Sequence, residues 1–158
     1  MKKHIISVVL IISILLSGIT AFSKGASKTE LLPVSEINHI YTLEDGSKII
    51  EMNPVTVSLR SGKTGTKAYY YINNNGITEW DAEITGTFTY NGTTSYCTSS
   101  SCTTTVYSGN WHDAVNNASY AGNSAFASVT MELRFLFIVV KTQNLSLTLT
   151  CDANGNLS

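Results

Sequence analysis

The chain has 158 residues, ten of them basic and eleven acidic, for a net charge of −1. Charged residues make up 13%, about half of the roughly 25% usual in soluble domains. A balance so close to neutral argues against a nucleic-acid partner, and 43% hydrophobic residues with only two prolines argue against a disordered tail.

Met1, Lys2 and Lys3 precede an apolar run from Ile5 to Leu16 that only Ser7 and Ser13 interrupt. Ala21 and Ser23 then stand at the −3 and −1 positions of a cleavage site before Lys24. This is the order of a secretory signal peptide over residues 1–23. The competing reading is an uncleaved anchor, since residues 4–23 contain no Lys, Arg, Asp or Glu and could just span a bilayer. Ser17, Gly18 and Thr20 weigh against it. Cleavage predicts a secreted, extracellular protein with no stable membrane span, and no cysteine lies near the cut to carry a lipid anchor. Residues 24–36, with Gly25, Ser27 and Pro33, lack sustained periodicity and are expected to form a flexible lead-in. One domain is then expected over residues 37–158.

Within that domain Asp45-Gly46 separates Ile40–Leu43 from Lys48–Ile50, the pattern of a hairpin. Val55, Val57 and Leu59 alternate with Thr56 and Ser58 as a strand with one buried face does. Asn73-Asn74-Asn75-Gly76 divides Tyr69–Ile72 from the strand holding Trp80. Between Ile84 and Met131 the one charged residue is Asp113, and Thr, Ser, Asn, Gly and Tyr take over. Ile84, Phe88 and Tyr90 share a face with Gly86 against three threonines, and Asn91-Gly92 follows as a turn. Trp111, Ala114, Val115 and Ala118 suit a short helix as well as a strand, so residues 110–121 stay open. Val129, Met131 and Leu133 alternate, as do Leu145, Leu147 and Leu149. Phe135 to Val140, six apolar residues between Arg134 and Lys141, are too few for a membrane helix and are expected to be a buried strand. Many short strands with frequent turns predict an all-β fold, a single antiparallel β-sandwich, Ig-like or barrel-like.

Three cysteines in an exported chain allow one bridge and leave one thiol over. Closing the long loop from Cys97 to Cys151 stabilises by about 4 kcal/mol against about 2 for Cys97 to Cys102. Cys97–Cys151 is therefore the expected disulfide and Cys97–Cys102 the alternative, closing a hairpin tip of residues 98–101.

No catalytic motif stands out. His39 and His112 are the imidazoles outside residues 1–23, neither is next to a cysteine, and no Gly-x-Ser-x-Gly elbow occurs. Glu79, Asp81 and Glu83 alternate onto one strand face, which suits a solvated edge better than acid-base work. Asp152-Ala153-Asn154-Gly155-Asn156 has oxygen ligands at positions 1, 3 and 5, but its glycine falls at position 4, so a terminal turn is expected in place of a calcium loop. No Cys or His cluster has zinc spacing, and no cofactor is implied.

The stretches Gly86–Gly92, Cys97-Thr98-Ser99, Trp111, Gly122–Ala125 and Leu147–Ser158 together resemble a group of small secreted β-rich proteins from Gram-positive anaerobic bacteria. The resemblance covers about residues 80–158. It implies export and an extracellular β domain, carries over no catalytic residue or activity, and Cys102 departs from its pattern.

Aromatic residues are the best functional lead. Tyr69, Tyr70 and Tyr71 alternate faces, and Trp80, Trp111 and Tyr120 lie among polar residues. Exposed rings beside amides and hydroxyls suit stacking on sugar faces, so Tyr70, Trp80, Trp111 and Tyr120 are the candidate binding residues. The competing reading makes both tryptophans core residues. The expectation is a secreted, non-catalytic module for cell-wall polymer or glycan. A secreted antagonistic, bacteriocin-like protein is the alternative and a hydrolase the third reading.

Overall fold

A computed structural model describes residues 36–59 and 62–158. The expected signal peptide, and the lead-in up to residue 35, lie outside the described residues. The described chain is all-β and antiparallel: β1 (Ile37–Thr42), β2 (Lys48–Met52), β3 (Val55–Leu59), β4 (Gly62–Ile72), β5 (Thr78–Tyr90), β6 (Ser95–Val106), β7 (Trp111–Ala121), β8 (Ser124–Phe135) and β9 (Ile138–Thr150). Residues 111–121, open between helix and strand, are strand. Among the described residues no helix is long and apolar enough to cross a membrane.

The turns sit where their residues demand. Gly46, Gly76, Gly92 and Gly122 take positive φ, at 80°, 79°, 84° and 56°, a region open to glycine at no steric cost. Asn73 and Asn91 reinforce two of these turns, each side-chain oxygen accepting two backbone N–H groups two to four residues on.

Two sheets result. The first runs β1-β2-β4-β5-β6, with β3 also paired to β4. β2 and β3 lie end to end along one edge of β4, interrupted at Asn53-Pro54, where proline has no N–H to give the ladder. The second sheet is β7-β8-β9. Apart from β2 and β3, which share the edge of β4, each strand pairs with or lies beside its neighbour in sequence, a meander without the Greek-key return of an immunoglobulin sandwich.

The sheets bury their period-2 faces against each other. β5 contributes Trp80, Ala82, Ile84 and Phe88, and the second sheet contributes Ala125, Val129, Met131, Leu147 and Leu149. Gly86 lies where the layers come closest: a Cβ there would sit 2.7 Å from the Phe88 ring and 3.1 Å from the Ala125 methyl. An extra residue at Thr98, opposite the Thr87/Phe88 step, shifts the phase of β6.

At one side β6 turns through residues 107–110 into β7, and Thr104 donates to the Asp113 carboxylate at 2.6 Å. On the other side the edges of β1, β2 and β4 stand apart from β9. Four contacts bridge that gap: Lys141 to Asp45 and to the Tyr71 hydroxyl, Tyr69 to the backbone of Thr148, and Lys63 to the Gly155 carbonyl.

Candidate functional site

The four candidate aromatic residues do not form one surface: Trp80 and Trp111 meet in the core, apart from Tyr70 and Tyr120. Trp80 is fully buried and Trp111 is 2% exposed, so neither ring is available to stack on a ligand, which corrects their assignment as binding residues. The reason is parity: Trp80 shares the inward face of β5 with Ala82 and Ile84. It stacks on Tyr71 at 5.1 Å with the rings 1° from parallel, and Trp111 meets both edge-on at 5.2 and 5.9 Å. The Trp111 indole N–H donates to Glu79 at 2.6 Å. Tyr70 is half-buried in a depression with Met52 and Glu83, whereas Tyr120 is exposed near the end of β7 on the other sheet.

The expected disulfide is absent. Cys97, Cys102 and Cys151 are free thiols. Residues 98–101 lie within β6 and form no hairpin tip, and the partners of Cys97 and Cys102 on β5 are Phe88 and Ile84. That separation is roughly 13 Å at strand rise, beyond the reach of a bridge. Cys97 and Cys151 turn instead to the carbonyls of Ser99 and Asp152, at 3.2 and 3.4 Å. Burial pushes all three thiols up, Cys102 to about 11 with Asp113 adding to the effect. They are therefore protonated, weak nucleophiles at neutral pH.

The carboxylates of Glu79, Asp81 and Asp152 are occupied by structural bonds. Glu79 also accepts from Asn73 at 3.0 Å, and Asp81 accepts from the Tyr107 hydroxyl. Asp152 accepts the backbone N–H groups of Asn154 and Asn156 at 2.8 Å each, so the C-terminal segment is the expected terminal turn. Among the described residues no group of three His, Cys, Asp or Glu is placed to hold a metal ion.

A cleft of about 520 Å³ opens between the two sheets. Ile49 and Glu51 of β2 and Lys67 and Tyr69 of β4 form one wall, with Tyr41 and Leu43 at its rim. Gln143, Asn144, Leu145, Ser146 and Thr148 of β9 form the other. Lys67 and Glu51 pair at 2.5 Å with side chains only 7% and 9% exposed. Asn38 and Tyr41 complete the carboxylate's bonds at 2.8 and 3.0 Å. Burial alone would push Glu51 up, but the hydrogen bonds and charge of Lys67, helped by Asn38 and Tyr41, hold it below its ordinary value. Burial and the nearby Glu51 charge raise the Tyr69 phenol, and the Lys67 ammonium lies 5.8 Å from that ring's centre. The cleft thus presents one fully paired ion pair, the exposed Tyr41 ring beside the buried Tyr69, two amides and several hydroxyls over an apolar floor.

Sequence reasoning missed Glu51, Lys67 and Tyr41. A signal existed: Lys67 has the parity of Tyr69 and Tyr71, and Glu51 that of Ile49, so each charge falls on an inward face. The pairing of the two strands, which makes the charges partners, was not readable from either strand alone.

Neither a scan of family models nor searches of curated proteins and of solved structures finds a match to this chain.

Proposed function

We propose that the protein is a secreted, non-catalytic binding module whose cleft takes a cell-wall polymer or glycan. The observation that carries this is the composition of the cleft. The exposed Tyr41 ring offers a face for the apolar side of a sugar, and Gln143, Asn144 and Ser146 offer donors and acceptors for its hydroxyls. The volume suits about one or two sugar rings. Glu51 favours binding over catalysis, because an ionised carboxylate held by Asn38, Tyr41 and Lys67 has no proton to give and its charge is already paired. The likeness to small secreted proteins of Gram-positive anaerobes adds to the reading of an exported protein.

The test is co-sedimentation with purified Gram-positive walls, with and without competing sugars. Sugar-sensitive pelleting that falls at least about tenfold in Gln143→Ala, with an unchanged melting temperature, is the expected result. Protein that stays in solution with every wall and glycan tried removes the proposal. A second reading, an antagonistic protein acting on other bacteria, is favoured by the exposed apolar turn between β8 and β9. Growth of related bacteria that is unaffected by micromolar protein removes it.

A further inference from the structure

The six residues Phe135–Val140 were expected to be buried, and the structure places them in water. Phe135 pairs with Ile138 at the end of the β8–β9 hairpin, and Leu136 and Phe137 form its two-residue turn. Phe137 is 98% exposed, Leu136 74%, Ile138 67% and Phe135 64%. Val139 and Val140 continue the exposed run.

Two features make this turn more than a surplus of apolar side chains. Leu136 and Phe137 both have positive φ, at 46° and 71°, where Asn-Gly would sit without strain and bulky residues do not. The tip therefore retains large apolar side chains in a backbone that disfavours them. The second feature is the loss of alternation. In the rest of β9 Leu145, Leu147 and Leu149 alternate with Asn144, Ser146 and Thr148, but from Phe135 to Val140 both faces and the end of the hairpin are apolar. A protein surface would cover one face and leave the other wet, whereas a fluid apolar medium covers both.

The geometry points to a lipid bilayer as that medium. We infer that Phe135–Val140 is a docking finger that enters the headgroup and outer acyl region. About three residues per strand at 3.3 Å rise reach roughly 10 Å, the depth of an interfacial insertion and far short of a span. The apolar run ends at Arg134, opposite Val139, and at Lys141, opposite Leu133, so each strand carries a cation behind the tip whose long stem can reach lipid phosphate. The exposed Arg134 pairs with the half-buried Glu132 at 2.7 Å, an exchange partner that a phosphate can replace. Lys141 is held by Asp45 and Tyr71. With both cations already partnered, apolar burial dominates and charge attraction is secondary. The inference is independent of whether the cleft takes a glycan.

The experiment places Trp at the tip by Phe137→Trp in the full chain and adds phosphatidylcholine vesicles brominated in their acyl chains. Subtracting the wild-type spectrum removes Trp80 and Trp111, and the readout is local to residue 137, so residues 5–16 cannot produce it. The expected result is a blue shift and loss of about half or more of the residue-137 emission. It should persist at high salt and change little on adding phosphatidylglycerol. Val139→Asp in the same background should restore water-like emission without lowering the melting temperature, whereas Gln143→Ala should leave the quenching unchanged. Unquenched, water-like emission with every vesicle overturns the inference. So does a requirement for anionic lipid that salt abolishes. A blue shift without lipid that grows with protein concentration also overturns it, identifying a second copy of the chain as the occupant.

Discussion

The two ends of the β8–β9 hairpin obey opposite rules. Near its base, Ala125, Ala127, Val129 and Met131 of β8 and Leu147 and Leu149 of β9 are buried while their neighbours face outward. At its tip, Phe135–Val140 are more apolar and every one of them is exposed. Apolarity alone does not bury a side chain. Burial needs a facing layer, and β5 supplies that layer only at the base.

Trp80→Ala should break the base most severely. It removes a fully buried ring stacked on Tyr71 and edge-on to Trp111, at a cost of about 3–5 kcal/mol, read as a lower denaturant midpoint. Phe137→Ala, also the loss of a large ring, should change stability by less than about 0.5 kcal/mol. Equal effects would mean that the tip packs against something in solution.

Lys67→Ala comes next, at about 3 kcal/mol near neutral pH, because it leaves Glu51 charged and half-satisfied in the cleft. The pH dependence has a definite sign. The lowered Glu51 pKa stabilises the folded protein above the carboxylate's ordinary value of 4.5, and that contribution is lost as pH falls through the lowered value. The gap between wild type and variant should therefore be widest near neutrality and shrink in acid, which urea titrations across pH 3 to 7 would show. A gap independent of pH would assign the loss to packing of the lysine stem.

Gly86→Ala should cost about 1–3 kcal/mol, since its methyl would press on Phe88 and Ala125 where the sheets meet. The smallest effect has the opposite sign. Leu136→Asn with Phe137→Gly relieves two positive-φ positions and should raise stability by about 1 kcal/mol, seen as a melting temperature several degrees higher. No rise would mean that the tip side chains pack favourably enough to offset their backbone.

Local chemistry carried much of the fold. The dipeptides Asp45-Gly46 and Asn91-Gly92 became turns, and the alternation over Ile84–Tyr90 put Ile84 and Phe88 in the core. The candidate site was less legible. A tryptophan among polar neighbours reads as exposed, yet Trp111 begins a strand that closes over Tyr71 and Trp80, and Glu79, 32 residues away, takes its N–H. Cysteine pairing failed similarly: loop entropy ranks bridges but says nothing of where the thiols point.

The sequence by itself determined the antiparallel all-β class and the turn positions, because turn chemistry and period-2 patterning act over a few residues. Only the tertiary structure decided which sheet faces which. That placement buried both tryptophans, paired Glu51 with Lys67 across β2 and β4, opened the cleft along β9 and left Phe135–Val140 uncovered. Each of these depends on a second surface brought from far along the chain, and the residues that meet there carry no mark of their partner.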